Sequence, residues 1–144
     1  MESLYDKDFY EWTRENAQLL RQRRFSEVDL DNLVEEVEAM GRSEKRAFIS
    51  HLAILILHLL KWQWQPSLRS KSWESTILEQ RQQTNAVLED NPSFKYHLDE
   101  ILPKACGRAM EKFEGERDLL KKVLPADCPY SFEEIMDKGF FPAE

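Results

Sequence analysis

The stretch "HLAILILHLLKWQW", residues 51–64, holds the residues best suited to chemistry in an otherwise apolar run. His51 and His58 recur on nearly one helical face, but seven residues displace them by roughly 10.5 Å along the axis. Metal-binding pairs on a helix sit three or four residues apart, so these two cannot jointly hold one ion. A Glu-x-x-His motif, as di-iron helical proteins use, does not occur. His97 is the remaining histidine, and Cys106 and Cys128 form no C-x-x-C pair. Neither a metal nor a cofactor is expected.

A second group comes from polar residues on faces that should be apolar. On a helix around residues 72–89, Trp73, Ile77, Val87 and Leu88 define an inward side. Gln80, Arg81 and Thr84 fall on it as well. Asn16 lies likewise among Phe9, Trp12, Leu19 and Leu20. A buried guanidinium keeps its charge, so Arg81 needs a carboxylate or several carbonyls. Glu38, flanking the apolar stripe of its helix, is the expected partner, with Glu36 second. Glu38 also has an ordinary surface partner in Arg42, four residues on. His58 is expected to join Glu38, Gln80 and Arg81 in a polar cluster. That cluster either builds a small-molecule site or only fixes packing.

A third group is "KWQWQPSLRSKSW", residues 61–73. Lys61, Arg69 and Lys71 stand there without an acid, beside Trp62, Trp64 and Trp73. Basic residues interleaved with aromatics can hold single-stranded nucleic acid or another anion. Against this, tryptophans also pack cores and basic residues also cap helix C-termini.

The elements that must position these residues read as helices. Only four glycines occur, and no proline precedes Pro66, so long helices are allowed. No strand-like alternation and no Asn-Gly or Asp-Gly turn is present. The periodicity predicts a first helix over about Asp6–Arg23. A second follows an Asp29 N-cap, carries the stripe Leu30, Leu33, Val34, Val37 and Met40, and loosens or ends at Gly41. A third, Ser43–Trp64, is apolar nearly all round and belongs at the centre. Ser72 is expected to cap a fourth helix, lasting to about Glu89. Asn91 and Pro92 open a fifth, which bends at Pro103. Ser131 and Glu134 form a capping box for a short last helix. The expected architecture is all-α: one bundle of about six helices over residues 1–144, core helices within about 5–124, and an arm, 125–144, docking back.

Several ordered phrases carry a family resemblance: "YDKDFYEWTRENAQLLRQRRF", "VDLDNLVEEVEAMGRSEKR", "LILHLLKWQWQP", "SWESTILEQR", "DNPSF" and "PADCPYSFEEIM". Together they resemble the bacterial family called domain of unknown function 29, over nearly the whole chain. The resemblance implies a bacterial, all-helical, stand-alone domain. It brings no catalytic residues.

The net charge of −7 argues against generic nucleic-acid binding. The chain starts without a basic, then apolar, leader. The apolar run Leu52–Leu60 is far short of the roughly 20 residues a membrane span needs. A soluble cytoplasmic protein with reduced thiols is the expectation. No nucleophile elbow or phosphate loop occurs, so no catalytic residue is expected. The leading reading is a non-enzymatic adaptor that binds another protein through a helical surface. A homodimer is compatible with it; the alternatives are a nucleic-acid or anionic-ligand binder through 61–73, and a small-molecule site or enzyme built on Glu38, His58 and Arg81.

Overall fold

The computed structural model describes residues 3–116, 125 and 127–143. Among the described residues six α-helices follow in order: α1 (Leu4–Lys7), α2 (Phe9–Arg21), α3 (Leu30–Trp64), α4 (Lys71–Asp90), α5 (Leu98–Glu116) and α6 (Phe132–Met136). Short 3-10 segments lie at Phe25–Glu27, Pro66–Leu68 and Pro92–His97. Among the described residues there is no strand. Packing divides the chain into two compact units, Met1–Ser43 and Glu44–Glu144, which the single-domain expectation over 1–144 does not distinguish.

Four expected boundaries are corrected. The first helix is split at Asp8. This residue leaves helical geometry with φ −151°, and its carboxylate accepts the Glu11 N–H to start α2. Gly41 does not end a helix: α3 continues through it for 35 residues, since one helical glycine costs only about 1 kcal/mol. The cap of α4 is Ser70, whose hydroxyl accepts from the Trp73 N–H, not Ser72. Asn91 caps nothing downstream. Its side-chain amide donates back to the Val87 carbonyl and to Glu44, so it closes α4. Residues 92–97 then run as a 3-10 turn, and α5 begins only at Leu98. The expected end of the core helices near 124 lies outside the described residues.

In the first unit, Trp12 is buried beside Tyr5 and Phe9, with ring centroids 4.9 and 5.6 Å away. Asp29 ties the unit together. Its carboxylate accepts from the Trp12 indole and the Asn32 amide, both at 2.8 Å, while its own N–H donates to buried Asn16 at 2.8 Å. The hydrogen bonds from Asn32 and Trp12 hold the Asp29 carboxyl below the usual range. Arg23 follows α2 at φ 58°. The Arg23 N–H reaches the Leu20 carbonyl and the Arg24 N–H the Leu19 carbonyl. This is a Schellman closure with arginine where glycine is the usual residue.

The second unit is built on the apolar half of α3. Leu52, Leu55, Ile56, Leu59 and Leu60 are fully buried, joined by Ile77 of α4, Ile101 and Phe113 of α5, and Ile135 of α6. The helix therefore has neighbours on most sides, as its nearly unbroken apolarity predicts. The described residues of the arm pack on the core. Tyr130 and Pro142 are buried, and the Tyr130 hydroxyl donates to Gln63 at 2.7 Å. The capping box at Ser131 and Glu134 is present in both directions. A disulfide joins Cys106 to Cys128 across 22 residues, correcting the expectation of two reduced thiols. The arm's return to α5, invisible in the cysteine spacing, brings the two Cα atoms to 5.8 Å, within disulfide range.

The membrane count is revised too. Continuous α3 contains an 18-residue window of mean hydropathy 1.2, of which 44% is buried within the protein. By length and composition that window reaches the spanning range, which counting only Leu52–Leu60 misses. Its apolarity has a use inside the protein, since most of the side chains from Phe48 to Leu60 line the core just described.

Candidate functional site

Of the polar residues expected to gather, Arg81, Gln80 and His58 go to three separate places. Arg81 is 3% exposed and points into the C-terminal arm. Its Nε donates to the Ile135 carbonyl at 2.7 Å and its Nη2 to the Phe140 carbonyl at 2.6 Å. Nη1 reaches the Lys138 carbonyl at 3.4 Å, and the guanidinium lies 5.5 Å from the Phe141 ring. Burial pushes the Arg81 pKa down and Asp137 opposes the shift. The partner is thus a set of carbonyls, including that of Ile135 near the C-terminal end of α6, where a cation is favoured. Glu38 is corrected as its partner: that side chain is exposed and, among the described residues, makes no ion pair.

Gln80 meets a histidine, but the other one. His51 Nδ1 lies 2.8 Å from Gln80 Oε1, linking α3 to α4. His58 turns back on its own helix, with Nδ1 2.8 Å from the Ile54 carbonyl. Burial lowers the His58 pKa, aided by Lys61 and Lys112 and opposed by the Ile54 carbonyl and Glu116. The two histidines share a face, and their axial offset decides which one reaches Gln80. His58, Gln80 and Arg81 therefore form no single hydrogen-bonded cluster. A cleft of about 440 Å³ runs past Arg81, lined by Leu78, Gln82, Ala86, Met136 and Lys138. The fork of Arg81 is committed to the arm rather than to this cleft. Among the described residues no three His, Cys, Asp or Glu side chains gather as metal ligands would.

The 61–73 segment is largely tied into the fold. Lys61 pairs with Glu116 at 3.2 Å and lies 5.9 Å over the Trp73 ring. Arg69 donates to the Trp62 carbonyl at 2.8 Å and stacks 5.1 Å from the Trp62 ring. Trp62 in turn meets Phe141 at 5.0 Å, and Trp64 packs against the core. Arg69 thus satisfies a carbonyl in the last turn of α3. Lys71 is exposed and, among the described residues, makes no such engagement.

The feature that stands out is on the N-terminal half of α3. Leu30, Val34, Val37 and Met40 are 63%, 48%, 54% and 63% exposed. Leu30, Val34, Val37 and Gly41 are spaced four, three and four residues apart, which keeps them within about 60° of one line along the helix. One edge of that line carries Leu33 and Met40; the other carries Asp31 and Glu38, with Glu35 and Arg42 beyond them, 2.8 Å apart. The stripe itself is legible in the sequence. What sequence reasoning missed is that its large side chains stay uncovered.

A family model, that of the domain of unknown function DUF29, matches residues 4–141. This chain belongs to DUF29. Neither a curated protein nor a solved structure matches it. The DUF29 description names no activity, so every role assigned below comes from this chain's own residues.

Proposed function

We propose that this DUF29 chain is a non-enzymatic binding module, which engages another protein through the exposed stripe Leu30, Val34, Val37 and Met40. The observation that carries the reading is that stripe. Scattered apolar side chains on a surface are ordinary, but a contiguous run of large ones marks a contact site. A single helical face with anchors at this spacing is also a familiar way for helices to dock. The polar groups first considered for chemistry support the same reading, because Arg81, His51 and Arg69 are engaged in holding the fold.

The reading places the module in the bacterial cytoplasm, where a Cys106–Cys128 disulfide would be transient. The thiol state in the host therefore bears on location. The test of function is native mass spectrometry of the chain purified gently from its host, beside Val37→Asp. Val37 is about half exposed, so the variant should keep its helix content and melting temperature. Wild type should carry additional mass of defined stoichiometry and V37D should lose it. No added mass on wild type, or the same added mass on both, would refute the proposal.

A further inference from the structure

The structure assigns a kind of partner to the stripe: an amphipathic helix from another protein whose apolar face is flanked by lysine or arginine. This rests on the reading of the stripe as a protein-binding surface and adds the chemistry of what it takes. The argument comes from the two edges of the stripe. With Leu30, Val34, Val37 and Gly41 as the seam, the positions beside it are Leu33 and Met40 on one edge, Asp31 and Glu38 on the other. One edge extends the apolar surface, and the other is acidic. Asp31 and Glu38 are exposed and, among the described residues, neither forms an ion pair.

A second copy of the chain fits this arrangement poorly. In an antiparallel pair, equivalent edges face each other, so Asp31 and Glu38 would meet their own counterparts, like against like. In a parallel pair, each acidic edge would face the Leu33 and Met40 edge of the other copy. That leaves carboxylates against apolar side chains with no compensating charge. A helix with basic flanks satisfies both edges at once. Its apolar anchors cover the seam and the Leu33–Met40 side, and its cations meet Asp31 and Glu38. Gly41, which has nothing within 4 Å of where a Cβ would stand, lets such a helix approach closely at that end of the seam.

The test uses the full chain and three labelled synthetic helical peptides, read by fluorescence anisotropy. The peptides share leucines at i, i+3, i+4 and i+7. One has lysine flanks and one glutamate flanks; the third has the lysine composition in scrambled order. Two flanking contacts that change from attractive to repulsive should separate the first two peptides by roughly tenfold in affinity. The basic helix should bind tightest, the scrambled peptide should not bind, and Asp31→Lys with Glu38→Lys should reverse the preference. Both substitutions fall at exposed positions, and a circular dichroism melt confirms folding. Equal binding of the lysine- and glutamate-flanked helices overturns the charge assignment while leaving the stripe as a binding surface. Equal binding of the scrambled peptide overturns the helix assignment. If neither helix binds and the chain is a dimer that V37D dissociates, the occupant is a second copy and the proposal fails. If neither helix binds and the chain is monomeric, the proposal fails with no occupant assigned.

Discussion

Replacing Arg81 with methionine removes a charge and a hydrogen-bonding fork while keeping most of the side chain's length. Two of the three arm contacts are short, at 2.7 and 2.6 Å, and the third is marginal at 3.4 Å. Hydrogen bonds from a charged group contribute about 1.5–3 kcal/mol each. The substitution also removes the cost of burying the guanidinium, which offsets part of that sum. What remains is the penalty of leaving the Ile135 and Phe140 carbonyls without a donor, or of releasing the arm to water. The expected net loss is about 3 kcal/mol, toward the low end for breaking a buried charged contact. For a chain near 150 residues that corresponds to a drop of roughly 6–12 °C in melting temperature. Hydrogen exchange should localise the effect, with amides from Ile135 to Phe141 losing protection before those of the α3 core. Arg81→Lys should fall between wild type and R81M, because an ammonium keeps the charge without the planar fork. A melting temperature for R81M within about 2 °C of wild type, with arm exchange unchanged, would refute the claim that this side chain fastens the arm.

Three further outcomes can be checked by standard melts. Arg23→Gly relieves a left-handed backbone position and should stabilise the chain by about 1 kcal/mol, read as an increased urea midpoint; a decreased midpoint contradicts it. Because burial lowers the His58 pKa, the unfolded chain binds the proton more readily than the folded one. Wild-type stability should therefore fall as pH drops below about 6.5, and His58→Gln should flatten that limb between pH 5 and 7; a slope unchanged in H58Q assigns it elsewhere. Reducing the Cys106–Cys128 bond reopens a loop of 22 residues and should cost on the order of 3 kcal/mol. Identical melts with and without reductant would show that the two thiols are not bonded in the protein measured.

Much of the local architecture is legible in the sequence. The near-continuous apolarity from Leu52 to Leu60 requires neighbours all round, and the Ser131–Glu134 pair announces its helix. Arg81 and Asn16 are placed inward by the wheel alone, and both are buried. The partner of Arg81 is not legible, because it consists of backbone carbonyls 54–59 residues downstream, and carbonyls have no residue-type signature. A search for an opposite charge therefore leads to Glu38. The histidine that meets Gln80 is misassigned for a related reason: a helical wheel discards position along the axis. Gly41 is overread as a stop because a single glycine does not outweigh good helix formers on both sides. The disulfide depends on where the arm returns, which no local pattern encodes.

The distance along the chain between Arg81 and its acceptors also sets an order of events. The carbonyls of Ile135 and Phe140 are made 54–59 residues after Arg81, roughly 3–12 s later at ordinary rates of protein synthesis. Throughout that interval α4 exists without the groups that later surround its guanidinium, and the cation stays hydrated. The α3–α4 pairing therefore cannot close dry around that position until residues 135–140 have been made, and that segment is the one that expels the water.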